Sequence, residues 1–556
     1  MPRRLLSAAT ALVAALALAA CAGLPTTGPV TPGLAAGEDL GEPDFAFRPA
    51  LPQPGATPEQ IVDGFIRAGT GATANWARAQ EYLAPSFRGT WNPSAQVTID
   101  SGDRTYVATG EGTVVATLQT EAIVDAQGTY APSDGAASDL TFSLALQDDG
   151  EWRITAAPDG IVLAEDVFPS VFHAYAVQYF DPTWTYLVPD LRWFPTNTAR
   201  VRIVDALADG APSPWLAESV VNAFPDAVTL DPASVPLSAG VADVSLSAEA
   251  LTLDQETLDR MQTQLVTSLA TAGVSDVEMS VSDTALSAST VATRSTRVAG
   301  PPLVLTEAGF GFLVGDDLTP VDGLSPAIAD LSPAAVQVAP DRDVAAVRTG
   351  DGLVVRVRDD GQVATVDERA GLVDPSVDGT GTVWSVPTGL PSALWAVTPD
   401  DTVIDLAGDL PGATGISAIA VSRDGTRLAA AVTVGGRAEV WIAGIVRADG
   451  VPERLGEPAV LGELPSAARG LTWIDDATVA VLVAGEAEPT VLEQPVGGPG
   501  ETSAAPTGSL TLAGGATASN LRVHLDDGAL LVQRGVNWTQ TATGVLVLAT
   551  QQGTPQ

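Results

Sequence analysis

The chain has 556 residues, 46% hydrophobic and 17% charged, with a formal net charge of −40 and a single cysteine. So acidic a surface argues against nucleic acid and against electrostatic adhesion to anionic lipid, and one cysteine leaves no internal disulfide framework. All 27 basic residues are arginine, and the length suggests roughly two to four domains.

The first 20 residues have the form of a secretory signal. Arg3 and Arg4 precede a weakly polar-to-apolar run from Leu5 to Ala20 that ends in small residues. The run is too short and alanine-rich for a membrane span. Leu18-Ala19-Ala20-Cys21 looks like a bacterial lipobox, in which the cysteine sulfur is acylated and the chain is cut before it. Cys21 is therefore expected to be a lipid anchor. It places the rest of the chain on the outer face of the cytoplasmic membrane. Residues 21–54, rich in Pro, Gly and Thr, read as a flexible tether.

A first α+β domain is expected over 55–170. Thr57-Pro58-Glu59-Gln60 combines an N-cap, a proline at the first helical position and a capping-box glutamine, and Ile61, Val62, Phe65 and Ile66 follow at helical spacing until Gly69. A short helix is expected near 75–83, then strands at 97–100, 104–109, 113–120, 139–147 and 151–158, with Asp149-Gly150 as a hairpin turn. Two helices followed by a meander resemble the cystatin-like or NTF2-like α+β fold.

A second α+β domain is expected over 171–298. Its strands AVQYFD (176–181) and YLVP (186–189) precede the segment VRIVDALADG (201–210) and a helix over SPWLAESVVNAF (213–224). A strand pair follows in 228–247. Thr252-Leu253-Asp254-Gln255 reads as a capping box for a helix with Leu258, Met261, Leu265 and Leu269 on one face and Gly273 as its stop, before a last strand in 277–286. The pattern resembles the GerMN domain.

From 299 to 556 the texture is all β, with no helix evident. Stretches at 334–349, 378–386, 416–432, 470–483 and 519–533 each read as strand, polar turn and return strand, starting about 38 to 54 residues apart. This period suggests the inner hairpins of a β-propeller of about five blades, six being the alternative count, and favours a propeller over a β-sandwich. Residues 303–314 would close the ring by pairing into the last blade.

No chemistry-bearing motif stands out. His173 and His524, the two histidines, fall in different domains, and no zinc spacing, P-loop, nucleophile elbow or dinucleotide fingerprint occurs. The recurrent pairs Asp359-Asp360, Asp400-Asp401, Asp475-Asp476 and Asp526-Asp527 read as hairpin turns. Neither catalytic residues, metal ligands nor a cofactor site are expected. The cluster YLVPDLRWFP (186–195) reads either as a domain edge or, through Tyr186, Arg192 and Trp193, as a contact surface, since these residue types are favoured at interfaces.

The order of lipobox, tether, α+β block, GerMN-like block and propeller-like repeats, with YFDPTWTYLVPDLRWFP at 179–195, resembles the LpqB family, actinobacterial lipoproteins associated with the MtrA–MtrB two-component system. The resemblance implies a non-enzymatic accessory protein. It would bind the extracellular region of an MtrB-like sensor histidine kinase and modulate signalling in cell-envelope and division control. Two other readings remain open: a lipoprotein binding cell-wall glycan or peptidoglycan, and a propeller hydrolase acting through carboxylates.

Overall fold

A computed structural model describes residues 48–555 apart from 209–210, 283, 486–487 and 516–519. Cys21, the signal-like run and nearly all of the tether lie outside the described residues.

The first segment builds from the helix Pro58–Arg67. Thr57 accepts from the Gln60 amide and Gln60 returns a bond to the Thr57 amide, so both halves of the capping box form. Its apolar face, Ile61, Val62, Phe65 and Ile66, is buried against a sheet. The expected strands at 97–100 and 104–109 are one long strand, Gln96–Gly110, irregular between Asp100 and Arg104 and paired antiparallel with Thr113–Asp125. Ala137–Leu146 and Trp152–Ala156 extend the sheet on one side. On the other, Ile161–Ala164, which the sequence does not announce, pairs parallel with Gln96–Gly110. The second helix is a single turn, Ala77–Gln80.

The second segment opens on an antiparallel pair, Phe172–Phe180 with Leu187–Pro195. One segment without an expected element gains one here, and one expectation is corrected. The segment at 201–210 lies largely in a helix, Ala199–Ala208, because Ala199, Ile203 and Leu207 recur every four residues and are buried. The stretch 213–224 is a series of turns and not a helix: Asp190 takes the Ser213 amide and hydroxyl, and Val221 is captured by a bridge to Phe180. The helix Gln255–Ala270 buries Leu258, Met261, Leu265 and Leu269 as its spacing predicts, but its N-cap is Asp254, which accepts from the Thr257 amide, and not Thr252. This helix connects two parallel strands, Val241–Ser245 and Asp276–Val281.

The third segment contains six sheets of four or five strands among the described residues. Their innermost strands follow one another around a ring: Val545–Leu548, Pro333–Val338, Ser376–Val377, Ala413–Val421, Ala468–Trp473 and Ser509–Ala513. The propeller therefore has the higher of the two blade counts. Closure also runs the other way from the expectation. Residues 303–319 form three strands of blade one, and the late strand Val545–Leu548 supplies its inner edge. Thr550–Gln551 then pairs parallel with the inner strand of blade two. The stretch 519–533 holds the two middle strands of blade six and not its inner hairpin, which starts at Ser509. A short helix, Ser325–Asp330, interrupts the all-β segment between blades one and two.

A cavity at the ring centre is lined from five of the six inner strands, among others by Gln337, Ser417, Arg469, Thr511 and Leu548, and by Asp374 and Pro375 just ahead of the sixth. Gln552 bonds neighbouring blades to one another. Its Nε2 donates to Gln337 Oε1 (2.9 Å) and the Val421 carbonyl (3.0 Å), while Gln337 Oε1 also accepts from Ser376 Oγ and the Val377 amide, each at 2.7 Å. Three blades are thus tied through one amide.

Candidate functional site: the three-segment junction

Arg192 and Trp193 lie on the strand Leu187–Pro195 and Tyr186 immediately precedes it, and the structure turns Arg192 and Trp193 inward. Asp190 and Arg192 are two residues apart on a strand, so their side chains leave the same face. Arg192 is 2% exposed. Its Nη2 contacts Asp190 Oδ2 at 2.6 Å, and its Nη1 donates to the Gln127 carbonyl (3.2 Å) and Thr129 Oγ1 (3.0 Å) of the first segment. Nη2 also donates to the Ala211 carbonyl at 3.1 Å. Burial alone would lower the Arg192 pKa, but Asp190 outweighs it and holds the guanidinium above its ordinary value.

Trp193 is 9% exposed, its ring against Phe168 (centroids 4.8 Å apart) and Tyr130 (6.3 Å). Its amide donates to the Gly128 carbonyl in the first segment, and its Nε1 donates to the Gly497 carbonyl in the propeller at 2.8 Å. Burial leaves neither side chain available to an outside partner, and both are spent on an internal junction, as the domain-edge reading of this cluster has it. Arg202 adds a bond to the Ala126 carbonyl, and its guanidinium lies 5.3 Å from the Phe194 ring centroid. Desolvation, with Glu165 and Glu121 nearby, pushes the Tyr130 hydroxyl up to about 12, so it stays a neutral packing group.

The second segment meets the propeller along a further line of contacts. Arg454 pairs with Glu218, and Gly444 lies where an added Cβ would come within 2.5 Å of Ser219 Oγ and 2.8 Å of the Trp215 carbonyl. Glycine is required there by close approach. Tyr186 is half-buried and faces the ion pair of Arg294 with Asp341, so it too lies on the side of the propeller.

Elsewhere the titratable groups serve turns. Asp360, Asp475 and Asp527 each accept from the amide two residues on. Asp401 instead pairs with Arg356 at 2.6 Å. In the blade-four turn, Asp424 takes Ser422 Oγ, Thr426 Oγ1 and Arg427 Nη2. His524 Nε2 donates to the Val545 carbonyl (2.9 Å), far in sequence from the half-buried His173. Among the described residues no group of three or more His, Cys, Asp or Glu is placed to hold a metal ion. Nor is any helix there long and apolar enough to cross a membrane.

Two families match: "Lipoprotein LpqB, N-terminal domain" over residues 51–169 and "Lipoprotein LpqB beta-propeller domain" over 309–547. The chain belongs to the LpqB lipoprotein family. An LpqB lipoprotein of Rhodococcus opacus is 27% identical over 550 residues, covering 88% of this chain and 87% of that one. The relative from Thermobifida fusca is 33% identical over 283 residues, 48% of this chain and 44% of its own length. The one from Cutibacterium acnes is 30% identical, over 43% and 40%. The alignments thus span less than half of these last two relatives. Among solved structures, TolB from Acinetobacter baumannii is 14% identical with a TM-score of 0.34, over 46% of this chain and 66% of that one. The LpqB relatives are named as lipoproteins and not as enzymes.

Ser213, which holds Asp190 and through it Arg192, was not singled out by the sequence. The one signal that points to the pair is the two-residue spacing of Asp190 and Arg192 in an otherwise apolar strand.

Proposed function

We propose that this LpqB-family chain is a lipid-anchored accessory protein on the outer face of the cytoplasmic membrane. It binds the extracellular sensor region of an MtrB-like histidine kinase and biases its signalling. It has no enzymatic role. The observation that carries the reading is the pair of family matches at the two ends of the described chain. Cys21 would confine the protein to the membrane of its partner and raise their effective concentration.

The junction supports the same reading. Three segments bonded through Arg192 and Trp193 make a stiff body, and stiffness is what a partner needs to favour one kinase state. A protein with equal affinity for two states shifts neither. The test is titration of the purified chain in detergent against the purified extracellular region of the kinase from the same organism. Saturable binding that is stronger to one signalling state is the expected result. Absence of binding by the folded chain, with retention on purified cell wall instead, would overturn it.

A further inference from the structure

Between the second segment and the propeller lies a polar cleft of about 410 Å³, within the range of small-ligand sites. Strand Phe172–Phe180 contributes Gln178, helix Gln255–Ala270 contributes Thr267, the connecting segment contributes residues 293–297, and blades four and five contribute Arg423, Asp475 and Asp476. The connecting segment is held in place. The Arg294 amide donates to the Thr185 carbonyl at 2.8 Å, and the Arg294 guanidinium pairs with Asp341.

Three observations say what such a cleft takes. Gln178 is 7% exposed, lines the cleft, and its Oε1 has no hydrogen-bond partner on the protein. A buried acceptor of this kind calls for an N–H or O–H donor. Arg423 is 5% exposed, yet it bonds only to the carbonyls of Thr296 (3.3 Å) and Trp473 (2.7 Å), with no carboxylate at ion-pair distance among the described residues. Burial pushes its pKa down to about 10. On the opposite sign, burial and the neighbouring Asp475 push Asp476 up, and no arginine pairs with its carboxylate at contact distance among the described residues.

With Arg294 neutralised by Asp341, the remaining lining charges are Arg297, Arg423, Asp475 and Asp476, which balance. In a chain of net charge −40 this is a local exception. A simple anion would meet the two aspartates, a metal cation the two arginines. Arg423 feels Asp475 and Asp476 only from beyond contact distance, so a neutral polyol would leave both signs without a contact partner.

We propose that the cleft binds a small zwitterion of the amino-acid or short-peptide class. Its carboxylate lies toward Arg423 and Arg297, its ammonium toward Asp475 and Asp476, and an N–H is donated to Gln178 Oε1. This assignment is independent of any kinase contact, because the cleft is formed by this chain alone.

The test is calorimetric titration of the full chain in detergent with dialanine, its N-acetylated form, its C-amidated form and glucose. Dialanine should saturate a single site, and each cap should weaken binding by about tenfold or more. Asp476→Asn should do the same. Arg297→Ala, an exposed position where the fold is not at stake, should weaken dialanine severalfold and the C-amidated form little. Failure of dialanine to saturate at about 10 mM, equal binding of the capped forms, or saturation by glucose instead would overturn the proposal.

Discussion

Arg192→Met tests whether the junction is held by the buried ion pair. The substitution keeps most of the side-chain volume and removes the donors that reach Asp190, Gln127, Thr129 and Ala211. Asp190, 2% exposed, keeps Ser213 but loses its counter-charge. Breaking a buried pair from one side costs about 3–5 kcal/mol, most of it from the stranded charge. With a urea dependence of about 2 kcal/mol per molar, the midpoint should fall by about 1.5–2.5 M. The readout is the urea midpoint at which amide protection over 172–195 is lost, since a three-segment protein need not unfold in one step. Adding Asp190→Asn removes the charge while leaving an acceptor for Ser213, and should recover at least about 1 kcal/mol. A shift under about 0.5 M, or no recovery in the double variant, would refute the reasoning.

Removing residues 545–556 deletes the inner strand of blade one, where Val545, Val547 and Leu548 are buried. At about 1.5–3 kcal/mol per buried side chain, the loss of several kcal/mol should appear as a large drop in the propeller's melting temperature. Met261→Ala empties a fully buried position on the helix Gln255–Ala270 and should cost about 2–5 kcal/mol by denaturant unfolding. Burial lowers the His524 pKa, so the folded state holds the proton less tightly than the unfolded one. Its contribution is full above the unfolded value of about 6.5 and is lost as pH falls through the folded value, so the protection of amides 545–548, relative to their intrinsic exchange at each pH, should fall on acidification, and His524→Gln should flatten that response. Asp367 is held low because Arg369 and the Ser385 hydroxyl outweigh the desolvation that would raise it. Its contribution is present above the ordinary aspartate value of about 3.9 and lost as pH falls below it, so Asp367→Asn should remove part of the acid limb of the stability curve.

Local signals in the sequence were legible wherever one element carries its own instructions. Thr57 and Gln60 cap a helix whose buried face repeats at helical spacing, and the same holds for Leu258 through Leu269. The blade hairpins at 334–349, 416–432 and 470–483 stand where their period puts them. What failed was what depends on distant partners. The strand Val545–Leu548 is four residues long and pairs with Leu303–Thr306, more than two hundred positions earlier, so the blade count could not be read from spacing. The turns at 213–224 exist because Asp190 and Phe180 hold them, and residue 254 outcompetes 252 as a cap only in the packed helix. At the junction the residue types were legible but not their direction. Tyr, Arg and Trp are favoured wherever large surfaces meet, inside one chain as well as between two.

The manner of ring closure also sets an order in time. Blades two to six have at least four consecutive strands each and can assemble as they emerge, while blade one waits with its inner edge open until residues 545–548 arrive. Pairing so distant in sequence is slow, and an unpaired sheet edge is a template for association with other chains. The propeller is therefore most vulnerable to misassembly in the interval between the making of its first blade and its last strand, and anything that shields the 303–306 edge during that interval will govern how much of the chain folds.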